Sequence, residues 1–563
     1  MKNQKIVVIG GSAAGPKAAA RARRLNQNAE VTIFQKGPDL SMASCGYPYY
    51  VGGFFDDRNK LLCTPTGVVR SPEFYWNAKG IKAKINSEVT KIDRTKKRVY
   101  YINHITNEEG SESYDKLIIT TGATPNIPPI PGTNLKGITT LQSMQDADYL
   151  RAIRDKGKIK KAVVIGGGLI GIETLEALHL AGIELTMVEL LPQLLTFLDW
   201  EMAKIVENYL KTKANVITKN GVAEFLGEEG KLTGVKLQNG TVIPCELAVV
   251  AIGVKPNTKL AQQAGIDTGA KEGILVNSYM QTNDRDIYAA GDCCEIKNLI
   301  TGENVLAPYG DLANLEGRVA GENVINENKA TFPGTIQTGI CKLFDYSVGI
   351  TGLSQGKAKE SGFDYETIVN ASSDKPKFMN GEILITKMVA DKKSGRVLGA
   401  QCMGTGDVSK QLAIWATAIK AKQTVEDLVN ADLPYAPPFS LAIDHSIACT
   451  HIIQNKIKGL YKGISAAAVK EKIDKNKNLF LLDTRGADEY EQTRLGIGET
   501  LIPIGMLKKK ADNLPLNKET EIITYCQISL RGYEAAVMLQ NMGYKNVKVM
   551  EGGIVAWPFE KEK

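Results

Sequence analysis

The chain has 563 residues, room for several domains at about 150 residues each, and its 43% hydrophobic and 23% charged residues are ordinary globular composition. The net charge of +7 comes from basic residues interleaved with acidic ones, as in KIDRTKKR (91–98) before NEEG (107–110), which argues against a nucleic-acid face. Nine cysteines, scattered apart from Cys293-Cys294 and with no C-x-x-C pair, suggest neither a disulfide framework nor a zinc site and fit a reducing cytoplasm. The N-terminus runs straight into an apolar segment with no signal-peptide pattern, and no apolar run reaches the ~18 residues of a membrane span.

Residues 5–9 (KIVVI) predict a buried strand, followed by GGSAAG, an Ala-rich helix to about Leu25 and a second strand at 30–34 (EVTIF). This is a βαβ unit with a glycine-rich first turn. The pattern recurs at 161–189, as KAVVI, GGGLIG, a helix through about Ala181, and ELTMVE. Between the repeats, YDKLIITTGATPNIPPIPG (114–132) predicts a strand, a glycine turn and a Pro-rich crossover; LAVVAIGVKPNT (247–258) closes the second unit. DIYAAGD (286–292) predicts a short strand ending in Gly-Asp, with a helix from about Tyr309. From Thr335 to about Thr450, strands (383–389, 397–404) and helices (407–421, 424–430) predict an α+β domain without a phosphate loop. Residues 451–463 are expected to be a connector. A smaller α/β unit follows, with strands in NLFLLDTRG (478–486), EIITYCQISLRG (521–532) and VKVMEGG (547–553) and a helix over about 531–541.

In the first loop Gly10 permits the tight turn and Gly15 lets helix and strand pack, while Gly11, Ser12, Ala13 and Ala14 lead into a helix N-terminus that can hold a pyrophosphate. Ser12 replaces the middle glycine. Gln35, with Lys36 beside it, stands where an acidic residue would bind ribose hydroxyls; an amide keeps that hydrogen bond without its charge. The second loop is a full match through Gly166, Gly168, Leu169, Ile170 and Gly171. Glu189 ends the next strand, where a carboxylate binds the adenosine 2′-hydroxyl and repels a 2′-phosphate, so NADH is expected rather than NADPH.

With both loops in place, the chain resembles the two-dinucleotide-fold flavoprotein disulfide reductases. The resemblance implies FAD on the first unit and a nicotinamide nucleotide on the second. It places Thr121, Gly122, Ala123, Gly253, Gly291 and Asp292 at flavin- and nucleotide-contacting positions, Asp292 on the ribityl chain. SMASCGYPYY (41–50) carries Cys45 with no second cysteine at the C-x-x-x-x-C spacing of ordinary members. Near a helix N-terminus and a flavin, Cys45 is expected to have a depressed pKa and to be a thiolate. Ser41-x-x-x-Cys45 resembles the single-cysteine branch of coenzyme A-disulfide reductases, NADH oxidases, NADH peroxidases and persulfide reductases. Lys17, Arg21 and Arg24 share one face of the first helix. The resemblance implies that they hold the phosphates of coenzyme A, with Ser41 and Ser44 as further contacts. LPYAPPFS (433–440) implies that Tyr435 reaches the flavin and cysteine of the other subunit of a homodimer. None of the four histidines falls in the His-Glu motif of glutathione-reductase-type enzymes.

The C-terminal unit resembles a rhodanese through LLDTRGADEYEQ (481–492), TYCQISLRG (524–532) and EGGIVAW (551–557). Asp483 and Arg485 are expected to be structural. Cys526, in a strand-to-helix loop with Arg531, is the expected persulfide-carrying nucleophile. LGIGET (495–500) replaces the usual Gly-His-Ile segment.

The expected fold class is α/β: two Rossmann-like dinucleotide-binding domains, an α+β dimerisation domain and a rhodanese-like α/β domain. The expected boundaries are 1–115 with 255–332 for FAD, 116–254 for NADH, 333–450 for dimerisation, 451–463 as linker and 464–563 for the rhodanese. The expected function is NADH-dependent reduction of polysulfide, persulfide or coenzyme A persulfide at Cys45, with sulfane sulfur delivered by Cys526. The alternatives are a coenzyme A-disulfide reductase, an NADH oxidase, and a non-enzymatic redox sensor or scaffold. No metal, nucleic-acid partner or membrane span is expected.

Overall fold

The apolar pentapeptide KIVVI becomes the central strand of a five-stranded parallel sheet because both its neighbours are equally apolar. In this computed structural model, which describes residues 3–563, Val8 is level with Ile33 on one side and Ile118 on the other. The sheet runs Ile287–Ala289, Lys116–Ile119, Lys5–Ile9, Glu30–Phe34, Ile81–Lys84. The helix Ala14–Leu25 packs on it, and the helix Gly310–Asn326 packs on that helix. Gly317 and Gly321, one turn apart, allow the second contact: a Cβ at either would lie 2.3 Å from the carbonyl oxygen of Ala14 or Ala18.

The repeat rebuilds the same unit. Asn215–Ile217, Glu184–Val188, Lys161–Ile165, Leu247–Val250 and Ile138–Thr139 form a second parallel sheet, in which Lys161 is level with Glu184 as Lys5 is with Glu30. The structure moves one expected boundary. Lys116–Ile119 lies beside Lys5–Ile9 in the first sheet, since its apolar side chains complete that core; Ile138–Thr139 is the first strand to join the second sheet.

The chain forms two units, one holding the segment up to Pro192 with Ala214–Thr335, the other Gln193–Lys213 with Ile336–Lys563. The second unit opens with a five-stranded antiparallel sheet in the order Gly339–Leu343, Tyr346–Gly352, Val397–Gly404, Ile383–Asp391, Tyr365–Ser373. The helix Trp200–Leu210 belongs to this unit and is pinned by charge. The Lys387 ammonium, 1% exposed, lies 3.1 Å from Asp199 and 2.5 Å from Glu201. Asp199 also accepts the N–H groups of Gln355 and Gly356 at 2.9 and 3.0 Å, the hydrogen bonding that a buried ion needs. The expected connector is largely helical, since residues 451–457 are the end of the helix His445–Ile457. Beyond it a parallel sheet runs Gly463–Ile464, Val547–Met550, Glu521–Tyr525, Leu479–Asp483, Thr500–Leu501. Among the described residues no helix is long and apolar enough to cross a membrane.

Candidate active site

Both glycine loops close the same way. Gly10 (φ 111°) and Gly166 (φ 106°) take conformations that side chains avoid, and a Cβ there would lie 2.0 Å from Thr120 O or 2.3 Å from Ala251 O. Gly15 and Gly171 bring helix onto strand: a Cβ at either would meet the carbonyl oxygen of Gly10 or Gly166 at 1.9 and 2.0 Å. A Cβ on Gly168 would meet nothing within 4 Å, so the N-terminus of the helix Leu169–His179 faces an open cradle. The first-turn N–H groups of such a helix have no partner within it, and a pyrophosphate fits them. Gln35 and Glu189 are equivalent braces. The Gly11 N–H donates to Gln35 Oε1 at 2.9 Å, and the Gly167 N–H to Glu189 Oε2 at 2.7 Å; the other Glu189 oxygen accepts from Leu191 N–H at 2.8 Å. Lys36 turns away to an ion pair with Glu88 at 2.9 Å.

The flavin-motif segments converge on the first loop. Ala123–Pro125 pairs antiparallel with Val254–Pro256, Thr121 Oγ1 donates to Asn257 O at 2.6 Å, and Gly122 (φ 65°) and Gly253 (φ 91°) make the turns into these strands. Gly291 (φ 85°) donates its N–H to Glu316 Oε2 at 2.7 Å. Burial raises the Glu316 carboxyl to about 8 and that of Asp292 to about 6. Glu316 is 2% exposed beneath the Gly-Asp turn, and its burial favours the neutral acid. Cys293 and Cys294 are buried with their sulfurs 3.9 Å apart and unbonded.

Cys45 sits in the single turn Ser44–Gly46 ahead of the helix Tyr47–Val51. It is a free thiol, and its side chain opens to solvent. A Cβ on Gly310 would stand 3.5 Å from its sulfur, so the start of the helix Gly310–Asn326 lies beside it. The protein's own groups act against the expected depressed pKa. Desolvation, then the carboxylates of Glu173, Asp292 and Asp311, push the thiol above its ordinary value, outweighing a backbone hydrogen bond. Glu173 is itself raised to about 7 by burial and by Glu176.

The basic stripe divides. Lys17 and Arg24 are exposed, but Arg21 is committed to Glu322, with Nη2 2.5 Å from Oε2. Two cations from elsewhere take its place. Lys79 has its pKa pushed down by burial and then by Arg24, Arg70 and Lys17, which places four cations around one region. Arg70 Nη1 donates to Ser41 O at 2.9 Å, and Ser41 adopts φ 53°. A cleft of about 430 Å³ opens beside Arg24 and Lys79, lined also by Arg23, Gln27, Asn77 and Gly80. Ser44 is exposed next to Cys45.

In the second unit Tyr435, Phe439 and Ile443 are 56%, 72% and 52% exposed on the loop ahead of the helix His445–Ile457. His445 is buried between Ser372 and Thr386, and burial lowers its pKa to about 4.

The Cys526 thiol is fully buried at the end of Glu521–Tyr525. The chain then turns through Ser529 (φ 87°) into the helix Leu530–Asn541. Arg531 makes a bidentate ion pair with Glu489, both contacts 2.6 Å, which pulls the Glu489 carboxyl down to about 2. Cys526 lies near enough to the Arg531 guanidinium to favour its charged form. Asp483 and Arg485 pair in the core, Nη2 to Oδ2 2.8 Å, and Arg485 reaches Thr493 O at 2.7 Å. The segment replacing Gly-His-Ile is closed by Glu499, whose carboxylate accepts the N–H groups of Leu495, Gly496 and Ile497 at 2.9, 3.1 and 2.8 Å.

Arg70, Lys79, Glu173, Glu316, Glu489 and Glu499 were not among the sequence candidates. Glu489 lies inside the quoted DEYEQ stretch and Glu173 two residues past the second loop; the others carry no local signal.

A chain with seats for two dinucleotides and a solvent-open thiol beside one of them, continued by a loop built around a second cysteine, has the architecture of a flavin- and nicotinamide-dependent reductase joined to a sulfurtransferase-type domain. It belongs to the pyridine nucleotide-disulphide oxidoreductase family, whose profile matches residues 4–307; the family's dimerisation domain matches 338–447 and a rhodanese-like domain 465–559. It is accordingly an FAD- and NAD(P)H-dependent oxidoreductase. The NAD-dependent persulfide reductase of A. fulgidus is similar in structure, with a TM-score of 0.93 and 38% identity over 98% of this chain and 100% of that one. The reduced CoADR-RHD of Bacillus anthracis has a TM-score of 0.91 and 34% identity over 99% and 98% of the two chains. The NAD(P)H coenzyme A polysulfide/persulfide reductase of Pyrococcus horikoshii is 34% identical over 80% of this chain and 98% of its own.

Proposed function

We propose that the protein uses NADH to reduce the sulfane sulfur of a persulfide, polysulfide or coenzyme A persulfide, releasing sulfide at Cys45, with Cys526 supplying sulfur to the carrier. The observation that carries this is the joining, in one chain, of a free solvent-open Cys45 and a loop built around Cys526. This reading gives the sulfur-carrying domain a part in the reaction. The first glycine loop, Thr121–Ala123 and Asp292 hold FAD, and the second loop with Glu189 holds NADH. FAD, when bound, supplies the route by which two electrons of NADH reach sulfur.

The Cys45 thiolate attacks the inner sulfur of the coenzyme A persulfide. A Cys45–coenzyme A disulfide bond forms, the S–S bond of the persulfide breaks, and its electron pair leaves as hydrosulfide. Two electrons and a proton then return the Cys45 thiolate and coenzyme A thiol. The sum is one NADH oxidised and one sulfide released per persulfide. The raised Cys45 pKa makes deprotonation part of the first step, and Glu173, raised to about 7 and felt electrostatically by Cys45, is the proposed base. In a homodimer Tyr435 reaches the partner's cysteine, and the free thiols are kept reduced in the cytoplasm. The decisive experiment is anaerobic NADH oxidation with polysulfide, coenzyme A disulfide or no acceptor, followed by oxygen. Polysulfide should give one sulfide per NADH and the highest kcat/KM; faster turnover of coenzyme A disulfide, or of oxygen alone, would replace this reading.

Lys17, Arg24, Arg70 and Lys79 are the proposed seat of the coenzyme A phosphates. Lys79→Ala and Arg24→Ala should each raise KM for coenzyme A persulfide about 10-fold with kcat nearly constant, and leave inorganic polysulfide untouched. An equal loss for both substrates would place these cations elsewhere in the chemistry. Glu189→Arg should improve kcat/KM for NADPH about 10-fold or more while weakening NADH; steady-state rates with both nucleotides check it.

A further inference from the structure

The loop carrying Cys526 is braced from behind by a buried charge that the proposed chemistry does not use. Glu551, 3% exposed, follows the strand Val547–Met550. Its Oε1 lies 2.7 Å from the Lys456 ammonium, and its Oε2 accepts the Val369 N–H at 3.1 Å. Val369 belongs to the dimerisation domain, and Lys456 lies near the end of the helix that leads out of it. Lys456 lies on the helix His445–Ile457 and also contacts Glu366 at 3.2 Å and Thr367 O at 2.7 Å, while Val369 lies on the strand Tyr365–Ser373.

From Glu551 the restraint passes directly to the cysteine. Gly552 (φ 73°) is pressed against Val369, where a Cβ would come 2.9 Å from Cγ1. Gly553 (φ 59°) lies so close under the loop that a Cβ would stand 2.4 Å from Cys526 O. The N–H groups of Ile554 and Val555 then donate to the carbonyls of Cys526 and Gln527 at 3.0 and 3.2 Å. Desolvating these groups offsets much of what their attraction returns, so the contact is weak evidence for stability.

We propose that Glu551, with Lys456, is a positioning residue for sulfur transfer: it fixes the Cys526 carbonyl through residues 552–555 and makes turnover of the rhodanese-like domain depend on the dimerisation domain. The proposal rests on Cys526 being the sulfur carrier. The test uses the full chain and compares wild type with Glu551→Ala, Glu551→Gln and Lys456→Met. Thiosulfate:cyanide sulfurtransfer reports on Cys526, and NADH oxidation by a small persulfide, in the same preparations, reports on Cys45. Glu551→Ala and Lys456→Met should lower sulfurtransfer kcat about 10- to 100-fold, with KM changed less than about threefold. Glu551→Gln, whose amide oxygen still accepts the Val369 N–H, should recover most of the loss, and reductase rates should hold in all three. An unchanged kcat in Glu551→Ala, a glutamine variant no better than alanine, or an equal fall of both activities would overturn the proposal. Should wild type transfer no sulfur, the carrier reading fails on its own, and iodoacetamide labelling of Cys526 decides for Glu551. A change of about threefold or more in the Glu551→Ala rate supports positioning, and an unchanged rate refutes it.

Discussion

Cys45→Ser is expected to lower NADH-driven sulfide release about 10³-fold or more, while the purified protein keeps its yellow colour. A serine hydroxyl is isosteric but is neither a thiolate nor a partner for an S–S bond, so attack on sulfur stops while the dinucleotide seats, which depend on Gly10, Gly15, Gly166 and Gly171, stay intact. Anaerobic sulfide assay and the flavin absorbance spectrum, taken on one sample, separate the two. Because burial and three carboxylates hold the wild-type thiol above its ordinary value, labelling of Cys45 in flavin-free protein should keep accelerating as pH rises past 9. Full polysulfide turnover by the serine variant would remove Cys45 from the mechanism.

The second large effect belongs to Cys526. Cys526→Ser should abolish transfer of sulfane sulfur from thiosulfate or polysulfide, a loss of about 10³-fold or more, and spare direct reduction of small persulfides offered to Cys45. The division follows from the fold: Cys526 is enclosed by its own loop, Arg531 and residues 553–555, all of them in the second unit. Sulfurtransfer and NADH oxidation measured side by side would show it, and an equal loss of both would unite what is here assigned to two sites.

The elements that were legible are those whose signal is local. KIVVI and KAVVI are strands over the very residues expected, since an apolar run closed by glycine has one use in a βαβ unit. The Cys526 loop and both glycine loops were legible for the same reason. What escaped is set by partners distant in sequence. The spacing of Lys17, Arg21 and Arg24 gives their common face, but Glu322, which claims Arg21, comes from a helix some three hundred residues on. Arg70 and Lys79 join the cluster through the loop and helix packed against the first sheet, and no periodicity points to them. The Cys45 pKa went the other way from expectation because proximity to a helix start was visible in the motif, while Glu173, Asp292 and Asp311 gather around it only after folding.

The Trp200–Leu210 helix, which leaves one unit of the chain to lodge in the other, has a consequence for dissection. The segment enters and exits in mid-sequence, so no single cut yields the dimerisation part intact. Truncation at Ile457 fares no better: Trp200 would lose its tilted ring contact with Phe559, Asn208 its bond to Pro558 O, and Lys456 the Glu551 carboxylate. Removing the C-terminal part would therefore strip partners from Trp200, Asn208 and Lys456 at once, and the second unit is best dissected by point substitution.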